Sequence, residues 1–437
     1  MGLIPQFSFT TMMKQQRFAA LAPWFIWGLA AFFFFAHYVV RVTPGQIIDE
    51  LQATFIDTTK TDIGILGFSF YLPYVLMQMP VGFLVDRYGS RLLLTVAVLV
   101  CSISSLVFAN ASVLETAILS RVLLGFCSAT AFIGALKLIT VWFEPKKLAL
   151  LVGVTQALGM VGASTGAGLV PFMNAAIGWQ NTFFVYGGVF FILAILIYAI
   201  VRNHPQNAVL YSHAHAALPT STLSEISKVL CSKYTWINAL YAGVIYAPTD
   251  SMGELWGRDF LRHIHDMAPQ SASFAVSLLF IGWAIGGPLA GMLADRLGRR
   301  PVMILSAICG LILLPLIFYV PNMPVSLIMT LMFLYDLTNT GLIASYATAG
   351  ELHTKEQAGF SMAIANMFSV LIGALLMPLL GKLLEWHAFQ HKIDDTIIYT
   401  VSDYKLSTIV LPICMGLALI CSFFVKETLC PPAQSNS

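Results

Sequence analysis

The sequence predicts an all-α integral membrane protein in which twelve transmembrane helices form two six-helix, pseudo-symmetric bundles. Three observations lead there. The first is composition: of 437 residues, 58% are hydrophobic and 10% charged, whereas soluble globular domains are roughly 25% charged. The second is a series of apolar runs long enough to cross a bilayer, which takes about 20 residues per helix. The third is a ten-residue sequence that occurs twice, at corresponding places in the two halves.

In chain order the apolar runs fall at 22–44, 63–85, 91–110, 114–142, 148–174, 181–201, 235–257, 271–294, 301–320, 324–348, 358–384 and 405–425. The first follows Lys14 and Arg17 but is long and has no small-residue cleavage site after it, so it reads as a retained span rather than a signal peptide. Short polar turns join the next five. The one long connection, 202–233, is polar and rich in Pro, Ser, Thr and Ala. It separates an N-terminal bundle at 22–201 from a C-terminal bundle at 234–426, with tails at 1–21 and 427–437. His213 and His215 in this connection lack the companions a metal site needs and read as part of a solvated linker. The seven cysteines are spread singly with no CxxC spacing and read as small packing residues. With the N-terminus inside, about 14 basic residues fall on the cytoplasmic side and about six outside. The linker and both termini are therefore expected in the cytoplasm, and the short loops suit a bacterial inner membrane. A net charge of +2 without a basic tail gives no footing for nucleic acid.

The repeated sequences are "GFLVDRYGSR" at 82–91 and "GMLADRLGRR" at 291–300, which share Gly, Leu, Asp, Arg, Gly and Arg in register. Each closes one span and opens the next. With "SRVLLGF" opening the fourth span as an R-x-x-x-G pattern, the chain resembles the major facilitator superfamily over essentially its whole length. That resemblance implies alternating access between two halves and a gating role for Gly82, Asp86, Arg87, Gly89, Arg91, Gly291, Asp295, Arg296, Gly298 and Arg299. In that role the glycines let helix ends approach closely, while Asp86 with Arg87, and Asp295 with Arg296, would pair and latch the halves in one state.

An ionisable group inside a membrane costs several kcal/mol unless it is wet or paired, so each one is a functional candidate. The first span carries His37 and Arg41, the fourth Arg121 and Lys137, the seventh Asp250 and Glu254, and the tenth Asp336 with Asn339. By the resemblance, these four helices line a central cavity. The cations lie in the first half and the acids in the second. Shifting Arg41 by the repeat offset lands on Asp250, so the two are expected at similar depth on opposite walls. They could form a gating ion pair; alternatively, Arg41 grips a substrate carboxylate with its planar fork while an acid carries a proton. Organic-anion transporters of the superfamily have arginines at the positions of Arg41 in "YVVRVTPG" and Arg121 in "SRVLLGF". The resemblance thus implies a substrate-binding role for Arg41 and Arg121, with Tyr38, Tyr246 and Asn339 as further candidates. Those transporters also carry an acid in the fourth span, which "GFCSATAFIGALKL" lacks. Proton coupling is then expected of Asp250, Asp336, Glu254 or His37. Competing readings stand beside these: Lys137 can snorkel to the interface, Glu254 can pair with Arg258 one turn on, and His37 and the tyrosines can simply pack.

No G-x-x-x-x-G-K-[ST] sequence occurs, which gives no support to ATP hydrolysis. No clustered nucleophile and base points to an enzyme, and no metal or other cofactor is expected. Sodium coupling is disfavoured because no broken-helix carbonyl cage is legible. The fifth span, "GVTQALGMVGASTGAGLVP", lacks the Gly-Pro pair of the superfamily's drug exporters. The expectation is a monomeric, proton-coupled carrier taking up a small carboxylate-bearing solute: an amino acid, a dipeptide or an organic acid. Export of drugs or siderophores is the alternative, and a receptor built on the same fold is a third reading.

Overall fold

The computed structural model describes residues 9–204, 223–389 and 399–428. The linker histidines, residues 1–8 of the expected N-terminal tail and 429–437 of the C-terminal one lie outside the described residues, and α1 starts within the expected N-terminal tail. The N-terminal half comprises α1 (Phe9–Val42), a 3-10 turn (Thr43–Gln46), α2 (Ile48–Thr54), α3 (Lys60–Tyr88), α4 (Ser90–Ala109), α5 (Leu114–Trp142), α6 (Pro145–Gly168), α7 (Val170–Ile177) and α8 (Trp179–Ile200). The short α9 (Leu223–Cys231) leads into the C-terminal half. There α10 (Lys233–Ser251) passes through a π-helical turn (Met252–Trp256) into α11 (Gly257–His265). After it come α12 (Pro269–Leu297), α13 (Arg299–Tyr319), α14 (Val325–Thr338), α15 (Gly341–Glu351), α16 (Lys355–Ala388), α17 (Val401–Ser407) and α18 (Val410–Phe424).

Among the described residues, ten helices are long and apolar enough to cross a membrane, and α3 makes an eleventh although it bends by 59° between Gln78 and Pro80. Proline removes a backbone donor and crowds the preceding turn, which accounts for the bend. The run α10–α11 stands where the seventh span is expected. It is more polar than the others because it holds Thr235, Asn238, Thr249, Asp250 and Glu254, all buried. Besides this run, three expected spans are interrupted: the fifth at Leu169 between α6 and α7, the tenth at Asn339–Thr340 between α14 and α15, and the last, which is divided into α17 and α18.

Within the first half α1 packs on α5, α6 and α8, and α3 on α5; in the second, α10 packs on α15, α16 and α18, and α12 on α14. The halves join along two seams, α3 with α16 and α6 with α12. Glycine makes the close approach possible. A Cβ on Gly64 would stand 2.5 Å from Pro378 Cα, one on Gly381 2.4 Å from the Lys60 carbonyl oxygen, and one on Gly45 2.6 Å from the Glu254 carbonyl oxygen. Polar contacts between the halves gather at this same end. Lys60 Nζ pairs with Asp259 Oδ2 at 3.0 Å, the Thr61 amide and hydroxyl each donate to Glu385 at 2.7 Å, and Ser273 donates to Gln46 at 2.8 Å. Arg262 pairs with Asp49. The α3–α16 seam runs down to Asn366, whose amide donates to Gln78 at 2.6 Å. Immediately beyond, α3 bends at Pro80.

The repeated motif lies at the opposite end, and its pairings stay within each half. Neighbouring helical residues point about 100° apart, so Asp86 does not reach Arg87 as the latch expectation required. Asp86 is paired with Lys137 at 2.7 Å, which also replaces simple snorkelling as the account of Lys137. Asp295 pairs not with Arg296 but with Arg299, one turn on at 2.5 Å, and Arg299 also meets Glu351 at 2.9 Å. Gly89 and Gly298 have φ of +80° and +102°, a conformation that favours glycine. Each lets the chain leaving the sixth helix of its half cap the helix that starts there. Asn203 accepts from the Arg91 amide at 2.9 Å, and Glu427 accepts from the amides of Arg299 and Arg300 at 3.0 and 2.9 Å. The Arg91 side chain donates to the Tyr198 carbonyl. The duplicated sequence thus fixes a helix-capping corner in both halves.

Gly64→Leu should force the α3–α16 seam apart without disturbing either half. A cysteine at buried Gln46, in a background cleared of native cysteines, should then react with a water-soluble maleimide many times faster than with Gly64 in place. Equal rates would mean that the seam tolerates the wedge.

Candidate functional site

Arg41 is the centre of the buried polar cluster. It lies on the last turn of α1, 3% exposed. Glu254 grips it with both oxygens: Nε to Oε2 and Nη2 to Oε1, each at 2.6 Å. Asp250 Oδ1 is 3.4 Å from Nη2, and Nε also donates to the Tyr71 hydroxyl at 3.0 Å. The guanidinium carbon is within 5 Å of the Tyr38 and Tyr71 ring centres, at 4.8 and 4.7 Å, and 5.7 Å from those of Phe70 and Tyr74. Delocalised charge and planarity suit arginine to this aromatic and carboxylate setting. Among the described residues, Nη1 makes no hydrogen bond.

The pairing joins the halves, and local structure explains how it is reached. α10 widens into the π-helical turn that carries Glu254, a distortion frequent at functional sites. Pro248 lies just upstream, inside α10. Gly45 lets the chain after α1 pass over this turn, and Gly373 on α16 lets Asp250 fit, since a Cβ there would lie 2.5 Å from Asp250 Cβ. Glu254 therefore pairs across the molecule, and Arg258 lies instead 3.9 Å from Asp49.

Arg121 has a different environment. Its terminal nitrogens donate to the carbonyls of Val40 and Arg41 at 3.5 and 3.2 Å, and its carbon lies 4.8 Å from the Phe70 ring centre. The final carbonyls of a helix lack intrahelical partners, so this buried cation caps α1 and fixes the turn that presents Arg41. Its Nε has no partner among the described residues. His37 is fully buried among Phe33, Phe34 and Tyr38, with neither ring nitrogen hydrogen-bonded. That is the environment of a packing residue. Tyr246 stacks edge-on against Trp283.

Asp336 and Asn339 belong to a second buried group at the break between α14 and α15. Thr249 donates to Asp336 Oδ1 at 2.7 Å, and Asn339 Nδ2 donates to the Ile245 carbonyl, the Thr249 hydroxyl and the Tyr335 hydroxyl. Toward the motif end Gln78, Asn366, Tyr346 and Ser369 form a partly buried hydrogen-bonded chain across the α3–α16 seam. The sequence reading missed Thr249, Gly373 and the Lys60–Asp259 pair. The last joins positions 199 residues apart, and no local pattern announces it.

The family model of the Major Facilitator Superfamily matches residues 24–263 and 258–428. The chain belongs to that superfamily. It is a secondary transporter by family, and the described helices fit the superfamily's fold. Among its relatives in the superfamily, the membrane sensor protein UhpC of Escherichia coli is 24% identical, over 83% of this chain and 85% of the relative. A probable hexose phosphate transport protein of Chlamydia trachomatis is 22% identical, over 76% and 79%. A probable galactarate/D-glucarate transporter of E. coli is 21% identical, over 77% and 81%. Of solved structures, a bacterial homologue of the human lysosomal transporter Spinster, inward-facing and unoccupied, superimposes with a TM-score of 0.76 at 16% identity, covering 92% of this chain and 97% of that one.

Deleting one partner of a buried ion cluster leaves charge without compensation, at a cost of about 3–5 kcal/mol. Arg41→Met should therefore lower thermal stability in detergent markedly, and adding Asp250→Asn with Glu254→Gln should restore most of it. If the triple variant melts as low as the single one, lost packing and not unpaired charge dominates at Arg41.

Proposed function

We propose that this carrier takes up a small, hydroxylated organic anion bearing a carboxylate, with Arg41 as the group that binds the anion and Glu254 and Asp250 as its competitors. The bidentate Glu254–Arg41 contact carries the proposal. A carboxylate held by both arms of a guanidinium occupies the geometry a substrate carboxylate needs, so one of the two must yield. Nη1 offers the approaching anion a first donor. As the substrate displaces Glu254, that acid loses its counter-charge in a buried site, and a proton restores neutrality. Anion and proton therefore bind together, which is symport. Organic acids now rank above amino acids. The anionic solutes named for the relatives, hexose phosphate and galactarate or glucarate, support that ranking, and the Gln78–Asn366–Tyr346 chain supplies amide and hydroxyl groups suited to a solute's hydroxyls.

Orientation is part of the proposal. The positive-inside rule supports placing the motif end in the cytoplasm, in a bacterial inner membrane as for the relatives. The seam closed by Arg41, Lys60 and Glu385 then faces outward, and the conformation described is inward-facing. Opening the outward end requires breaking the Arg41 cluster, so one interaction serves both as substrate competitor and as gate. A sensor relative such as UhpC makes signalling without flux the second reading.

In vesicles with an acidic exterior, glucarate or a hexuronate should accumulate while neutral hexoses do not. Glu254→Gln should lose gradient-driven accumulation but keep counterflow exchange, and Arg41→Lys should lose both, by tenfold or more. Unaltered transport in Arg41→Lys would remove the carboxylate clamp; binding of the anion without flux in the unmodified protein would favour a sensor.

A further inference from the structure

Asp336 is a buried acid that the Arg41 cluster does not use. It is fully buried, and its Oδ2 has no hydrogen-bond partner among the described residues. No described Lys or Arg forms an ion pair with it. A carboxylate so placed is unstable as a bare anion by several kcal/mol, so something positive must accompany it. Its neighbours narrow the choice. Asn339, also fully buried, has its amide nitrogen fixed on the Ile245 carbonyl at 2.9 Å, which leaves Oδ1 as an acceptor, again without a partner among the described residues. Thr249 spends its proton on Asp336 and one lone pair on Asn339, leaving a second lone pair. Thr249 bonds to both Asp336 and Asn339, so the three residues lie together where the tenth span stops at Thr338 and restarts at Gly341, and the C-terminal end of a helix such as α14 carries partial negative charge.

We infer that Asp336, Asn339 and Thr249, at the break in the tenth span, form a binding site for a sodium ion. Oxygen-only ligands select a hard cation. A single carboxylate among neutral oxygens matches a single positive charge, whereas Mg²⁺ and Ca²⁺ are bound through more carboxylates or a larger oxygen shell. A proton on Asp336 in place of the ion would turn Oδ2 into a donor and leave the protein indifferent to sodium. Discontinuous helices whose ends face a mid-membrane site are where carriers hold coupling ions. A sodium gradient would then drive uptake alongside the proton that neutralises Glu254. This rests on the reading of the chain as a carrier, but the site itself is testable without transport.

The experiment is thermal unfolding of the purified protein at constant ionic strength, with sodium, potassium or choline chloride and no organic solute, followed by the same series with glucarate. Sodium should raise the melting temperature saturably above the choline control, the shift should vanish in Asp336→Asn and shrink in Thr249→Val, and a glucarate-induced shift should persist in both variants. If Asp336→Asn does not fold, the sodium titration of the unmodified protein and of Thr249→Val decides. A melting temperature indifferent to sodium overturns the site, and with a surviving glucarate shift it does so while the carrier reading stands. Loss of the glucarate shift with an intact sodium response would instead remove the carboxylate reading and leave the ion site in place.

Discussion

The buried guanidinium of Arg41 sets the terms for the rest of the molecule. A cation 3% exposed in an apolar helix is tolerable only with carboxylate and aromatic partners; the rings come from its own half and the carboxylates from the other half of the chain. Bringing the halves together at the end away from the repeated motif is therefore what neutralises the charge. Around that requirement the local departures from regular helix fall into place: the π-helical turn that carries Glu254, the glycine at 373 that makes room for Asp250, and the capping of α1 by Arg121. Each bends a local rule in order to satisfy one buried charge.

The same logic separates gate from scaffold. At the end away from the repeated motif the halves meet through glycines 45, 64 and 381 and through pairs formed across the seam, all of which must separate together if the halves rock apart. At the motif end, Asp86, Lys137, Asp295, Arg299 and Glu351 pair within their own halves. Such contacts can survive the motion and keep each half rigid. The bend of α3 at Pro80, just past the Gln78–Asn366 contact, marks where one seam ends.

Much of this was legible in the sequence. Hydropathy and the doubled motif carried the fold, because membrane helices obey a strict length and polarity rule. The repeat offset brought Arg41 and Asp250 together across 209 residues, because internal symmetry is a long-range constraint written locally. The competing reading that paired Glu254 with Arg258 fails because i to i+4 reasoning assumes a regular helix and the π-helical turn was invisible. The break in the tenth span was missed for a similar reason. Asn339 and Thr340 carry no proline or glycine between them, and the interruption is held by tertiary hydrogen bonds that Asn339 donates to Ile245 and Thr249 and that Ser306 donates to the Thr338 carbonyl. For Arg121 the sequence shows the charge and not the helix end it caps.

The central claim is that Glu254 and the substrate anion compete for one guanidinium. Calorimetric titration of glucarate into the unmodified protein and into Glu254→Gln at neutral pH tests it most directly. Competition predicts that removing the carboxylate tightens anion binding several-fold and weakens its dependence on pH. Equal or weaker binding in Glu254→Gln would contradict the account and return Arg41 to the role of a gate latch alone.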